Sequence, residues 1–99
     1  VKIMKSMKKV EVIVEAVYLN RLLSNFEKWG LSGYTLIKDV EGKGGHGLKM
    51  ADDVSDLGAN DYIFAGCDAE QYLEFQEELR AFIKRYGGKC FVTDTMMLL

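Results

Sequence analysis

The run Gly42-Lys43-Gly44-Gly45-His46-Gly47, with Lys49 just beyond, is the part of this sequence best suited to chemistry. Consecutive glycines let backbone N–H groups converge on an anion, and Lys43, His46 and Lys49 would add positive charge around it. The same composition suits a flexible loop, and spacing alone leaves both readings open. The run is not a Walker loop, because no GxxxxGK followed by Ser or Thr is present, and it does not fit GxGxxG. A second turn, Gly87-Gly88-Lys89, offers either a phosphate-facing turn or a helix stop with a solvated lysine.

Other reactive side chains form no recognisable set. His46 is the only histidine, and no His/Cys spacing supplies a zinc site. Asp52, Asp53 and Asp56 cluster in the same stretch and suit a divalent cation or, more simply, solvent. Ser24, Ser32 and Ser55 have no neighbour in sequence that would serve as a base. Cys67 and Cys90 belong to no CxxC pair and read as reduced core residues of a reducing compartment. No catalytic residue and no metal ligand is assigned from these patterns.

The elements that carry these residues follow from periodicity. Val10, Val12, Val14 and Ala16 alternate with Glu11, Ile13 and Glu15, the signature of a half-buried strand. Leu19, Leu22, Leu23, Phe26 and Trp29 recur at helical spacing, and Gly30 ends that helix. Tyr34 to Val40 reads as a second strand. From Glu41 to Asn60 the periodicity is lost, and loops this long are usually functional or disordered. Asp61 to Cys67 is a third strand. Asp68 then caps a second helix, with Gln71 placed to return the bond to the cap. That helix buries Tyr72, Phe75, Leu79, Phe82, Ile83 and Tyr86 on one face, and Gly87 and Gly88 stop it. Cys90 to Met97 is the last strand.

The order βαββαβ predicts an α+β, ferredoxin-like sandwich: an antiparallel sheet with two helices on one face. Residues 1–99 read as a single domain; Met7 opens the part that makes structural sense, and Val1 to Ser6 read as an extension or a cloning remnant. The sheet's second face is left with residues such as Val10, Val12, Tyr62 and Phe64, or their alternating neighbours. Either set is too apolar to stay wet, which predicts self-association through sheet faces or edges.

Composition narrows the function. A net charge of −2 with dispersed basic residues gives no field to gather nucleic acid. No apolar stretch approaches the ~18 residues of a membrane span, and lysines interrupt Val1 to Lys9 where a signal peptide would need an apolar core. A cytoplasmic protein without direct membrane insertion is expected.

The order of elements and these loops together resemble the PII family of signalling proteins. Met7-Lys8-Lys9-Val10-Glu11 looks like its first strand, and Gly30-Leu31-Ser32-Gly33-Tyr34-Thr35 like its helix-to-strand turn. Val40-Glu41-Gly42-Lys43-Gly44 resembles the start of the T-loop between the second and third strands. Gly88-Lys89-Cys90-Phe91-Val92 resembles the B-loop and its strand. The stretch from Gly42 to Asn60, together with Asp94, resembles the PII-like branch associated with bicarbonate transport and carboxysomes. The B-loop is short, no tyrosine lies between Glu41 and Asn60, and His46 stands where nitrogen-regulating members carry glutamine. Leu99 falls before the position of their C-terminal arginines. These departures point away from a nitrogen-type sensor of ATP and 2-oxoglutarate.

The resemblance implies a non-enzymatic, homotrimeric regulator that needs no cofactor and binds a small anionic effector in clefts between subunits. The effector would be AMP, ADP, ATP or a cyclic nucleotide, bicarbonate, or both kinds together. It would be held by Ser32, Gly42, Lys43, Gly44, Gly45, His46, Gly87, Gly88 and Lys89. The loop residues Leu48, Lys49, Met50, Asp52, Asp53, Val54 and Leu57 would report occupancy to a target protein. A bicarbonate or cation transporter would recruit the regulator to the membrane. The alternative is a trimeric metal-binding or metal-tolerance protein resembling the CutA group, using His46 with Asp52, Asp53 or a cysteine.

Overall fold

A computed structural model describes residues 2–44, 47–49 and 59–99. Its elements run β1 (Met4–Glu15), a 3-10 turn (Ala16–Tyr18), α1 (Leu19–Lys28), β2 (Thr35–Val40), β3 (Gly42–Gly44), β4 (Gly47–Lys49), β5 (Asn60–Cys67), α2 (Ala69–Tyr86) and β6 (Lys89–Leu98). The main sheet is antiparallel with strand order β2-β5-β1-β6, and β3 and β4 form a separate two-stranded hairpin. Without that hairpin the order is the βαββαβ of a ferredoxin-like sandwich. The hairpin occupies the start of the stretch that sequence periodicity leaves as loop: its three-residue strands are too short to show a period.

Register decides what the sheet buries. Val10 stands opposite Ala65, Val12 opposite Ile63 and Val14 opposite Asp61. These side chains share the face under the helices, where Val10, Val12, Val14, Leu22, Phe26 and Ile63 are fully buried. Glu11 opposes Phe64 and Ile13 opposes Tyr62 on the other face. The set Val10, Val12, Tyr62 and Phe64 considered together above is therefore split between the two faces. Each fully buried Val, Leu, Ile or Phe contributes about 1.5–3 kcal/mol.

The helices close this core. α1 buries Leu19, Leu22 and Phe26. At its end the Gly30 N–H donates to Glu27 O at 3.0 Å and the Leu31 N–H to Phe26 O at 2.7 Å. This is a Schellman closure, with Gly30 at φ 81°. α2 presents Phe75, Leu79 and Phe82 to the core, and the Phe75 ring stacks on Trp29 at 5.0 Å. The predicted capping box at its start does not form. Asp68 stands at the N-cap, but its carboxylate pairs with Lys5 at 3.1 Å. Gln71 Nε2 instead donates to Trp29 O and Gly30 O, each at 3.2 Å. The last carbonyls of α1 lack helical partners, so they compete successfully for the Gln71 amide.

β1 begins at Met4, ahead of Met7, and Met4, Lys5 and Ser6 pair with Leu98, Met97 and Met96. Cys67 and Cys90 are both free; Cys67 is buried and Cys90 half-buried.

Candidate functional site

The turn between α2 and β6 is built tightly onto the sheet. Gly87 and Gly88 have φ of 82° and 98°, values that L side chains rarely adopt. A Cβ on Gly88 would sit 2.4 Å from the Ile13 carbonyl oxygen, so this backbone rests directly on β1. Gly88 thus has a packing reason, and Gly87 a conformational one, that owes nothing to a ligand. Lys89 follows, exposed and opposite Ile13. Ile13 opposes Tyr62, and Tyr62 opposes Ile37. Lys89, Ile13, Tyr62 and Ile37 therefore form one row across the sheet, on the face away from the helices.

At the same end of the sheet the chain leaves β2. Val40 pairs with Asn60, and Asn60 with Glu15. The β2–β5 register shifts between Ile37 and Val40, Asp39 takes φ 58°, and the β3–β4 hairpin starts at Gly42, which is exposed with open space around it. Lys43, Gly44, Leu48 and Lys49 lie on the hairpin backbone. Gly45, His46, Met50, Asp52, Asp53, Val54, Ser55, Asp56 and Leu57 lie outside the described residues.

A single chain does not gather all the predicted ligand residues. β6 and β2 are opposite edges of the sheet, three strand spacings or about 14 Å apart. Ser32 is exposed in the segment before β2, and the six residues of β2 separate it from the hairpin by about 20 Å. Lys89 and Gly42 share one end of the sheet; Ser32 lies toward the other.

The face carrying Lys89 is polar and aromatic. Tyr62 Oη donates to Glu11 Oε2 at 2.5 Å, which, with some desolvation, pushes its phenol up to about 12. Lys9 Nζ lies 4.8 Å from the centre of the Phe64 ring. Ile37 and Phe91 are 51% and 55% exposed on this face, which no helix among the described residues covers. Elsewhere, Lys8 pairs with Asp94 at 2.6 Å beside a cleft of about 390 Å³ lined by Ser6, Met7, Ala69, Thr95 and Met96. Burial raises the Cys67 thiol and pushes Cys90 up to about 11, so both resist forming the thiolate a nucleophile needs. Among the described residues no three His, Cys, Asp or Glu side chains converge on a metal position, and no helix is long and apolar enough to cross a membrane.

One residue at this end escapes the motif reading. Asp61 is fully buried, and its Oδ1 accepts the Asp39 N–H at 3.0 Å. The signal was available: Asp61, Ile63, Ala65 and Cys67 share one period-2 face of β5, so a carboxylate occupies a core register.

The fold and its long excursion after β2 define a ferredoxin-like α+β domain of the kind that presents loops at one end of an open sheet. The family model for nitrogen regulatory protein P-II matches residues 7–97, and the chain belongs to that family. Among solved structures it resembles CPII, a nitrogen regulatory PII-like protein from Thiomonas intermedia K12 bound to ADP, AMP and bicarbonate. The TM-score is 0.86 at 25% identity, covering 97% of this chain and 92% of that one. A PII-like signalling protein from Thermus thermophilus matches at TM-score 0.81 and 19% identity, over 98% and 94% of the two chains. The GlnK–ATP complex of B. subtilis matches at TM-score 0.59 and 20% identity, over 91% and 82%. Within the family the chain therefore stands closer to CPII than to GlnK. A search of curated protein sequences finds no match.

Proposed function

We propose that this protein is a non-enzymatic PII-like regulator. It assembles as a homotrimer and binds an adenine nucleotide, bicarbonate or both in the clefts between copies. The segment between β2 and β5 carries occupancy to a partner, with a bicarbonate or cation transporter as the favoured target. The observation that supports this best is the likeness along nearly the whole chain to CPII, whose structure holds ADP, AMP and bicarbonate. Two features of the chain agree with it. The Gly88–Lys89 turn and the Gly42 hairpin lie at one end of the sheet but on opposite edges, so a neighbouring copy can bring them together. The face that would meet the neighbours exposes Ile37 and Phe91.

Lys89 is the cation proposed to hold the effector's anionic group, through a charge-assisted hydrogen bond. Calorimetry with AMP, ADP, ATP, cyclic AMP and bicarbonate tests this. Lys89→Ala should weaken the effector that binds by about ten- to a hundredfold. Lys84→Ala, exposed on α2, should change little. Light scattering should report three times the 11.2 kDa chain mass. A stable monomer, or equal affinities for the wild type and both variants, would refute the assignment.

A further inference from the structure

Asp61 is the only charged residue buried among the described residues, and the anion site proposed above makes no use of it. It lies opposite Val14 on the face beneath the helices, in line with Ile63 and Ala65. One carboxylate oxygen accepts the Asp39 N–H; the other, Oδ2, is buried with no hydrogen-bond partner among the described residues. Burying a carboxylate with half its acceptor capacity unused is unfavourable, and an apolar side chain would fill this core register better. Stability alone therefore gives no reason for an aspartate here.

What the carboxylate does fix is the backbone at Asp39. That residue holds φ 58°, a left-handed conformation uncommon outside glycine, although aspartate is among the residues that tolerate it. At the same place the β2–β5 register slips, and the β3–β4 hairpin begins just beyond. Val40 pairs with Asn60 just after Asp39 and the hairpin starts two residues later, so the bond from Asp39 N–H to Asp61, beside that pair, helps anchor the root of the hairpin. We infer that Asp61 is a positioning residue: it pins Asp39 in the left-handed conformation and so sets the direction in which the hairpin leaves the sheet toward the effector. The step to the effector rests on the function proposed above; the pinning of Asp39 does not.

The full chain carrying Asp61→Leu or Asp61→Asn tests this. Leucine branches like aspartate, with bulkier methyl ends and no acceptor, whereas asparagine is close to aspartate in size and keeps the oxygen that faces Asp39. Three quantities are read: the melting temperature, amide exchange at Asp39 and Val40, and calorimetric affinity for ADP and for bicarbonate. Asp61→Leu should melt no lower than wild type, exchange the Asp39 amide at least about tenfold faster and bind about tenfold more weakly, the loss of roughly one hydrogen bond. Asp61→Asn should restore both exchange and affinity. A large fall in melting temperature for the leucine variant would make Asp61 a stability residue and overturn the inference. Unchanged exchange at Asp39 would overturn it as well. Faster exchange with wild-type affinity would refute the step from the pin to the site. If wild type binds neither ADP nor bicarbonate, the effector reading fails, and the exchange rates alone decide whether Asp61 pins Asp39.

Discussion

Replacing glycines with alanine at the candidate anion site separates packing from ligand binding. Gly42 has open space where a Cβ would go, and its φ is not positive. Gly87 also has open space but holds φ 82°. Gly88 combines φ 98° with a Cβ position 2.4 Å from Ile13 O and 3.5 Å from Val14 Cα. A positive φ costs an alanine about 1–2 kcal/mol in the left-handed helical region, and about 1–3 kcal/mol at Gly87, whose φ 82° and ψ −171° fall in a region kept almost entirely for glycine. At Gly88 the obstacle is the backbone of β1, which cannot rotate aside, so β6 must shift by about 1 Å at an added cost of about 1–3 kcal/mol. The expected losses are near zero for Gly42→Ala, about 1–3 kcal/mol for Gly87→Ala and about 2–5 kcal/mol for Gly88→Ala. Since 1 kcal/mol moves the midpoint of a domain of this size by about 4–8 °C, Gly88→Ala should melt at least about 8 °C below wild type. Thermal unfolding by circular dichroism at one fixed protein concentration measures the series, because assembly makes the midpoint concentration-dependent. A Gly88→Ala midpoint equal to that of Gly42→Ala would refute the packing argument and leave Gly88 to be explained by a ligand alone.

Two further measurements bear on the same framework. Tyr62 should ionise only near pH 12, read as the phenolate absorbance that Tyr62→Phe removes. Because its folded pKa lies above the ordinary 10.0, its contribution to stability is complete below pH 10 and is lost as pH rises toward 12. Ionisation of Tyr62 near pH 10 would contradict the Glu11 bond. Gln71→Ala removes two donated bonds to the end of α1 and should cost about 1–2 kcal/mol. Gln71→Glu should be worse at neutral pH, since it turns a carboxylate toward two carbonyls. Urea titration of both variants decides, and equal midpoints would remove Gln71 from the account.

The fold was legible in the sequence because each major element is long and periodic. The alternation from Val10 to Ala16 and the helical spacing of Phe75, Leu79 and Phe82 leave little choice of element type. Relations between elements were not legible. Which face of β1 meets the helices depends on its register with β5, and period-2 alternation is silent on that. Gln71 sits where a capping box would put it, yet the acceptors it serves belong to a helix more than forty residues away in sequence. The pairing of Met4–Ser6 was hidden because the lysines around it break the apolar pattern that marks a strand. For the candidate site, the two glycine turns were readable as motifs. Their placement on opposite edges of one sheet was not, since it follows from strand order, which no local pattern carries.

That strand order also governs how the chain must assemble itself. β1 lies between β5 and β6, so the first strand made has no sheet partner until much of the chain exists. Ser6 meets Met96 across 90 positions of sequence. Such separated pairings raise contact order and slow folding, because loop-closure entropy is lost before the contacts form. At the far end of the ribbon the Leu99 N–H donates to Ile3 O at 2.8 Å, which holds residues 3 and 99 side by side. Linking residue 99 to residue 3 through a short linker and opening the chain in the exposed segment at 32–34 would convert the most distant pairing into a local hairpin. The permuted chain should fold faster than the original while building the same sheet.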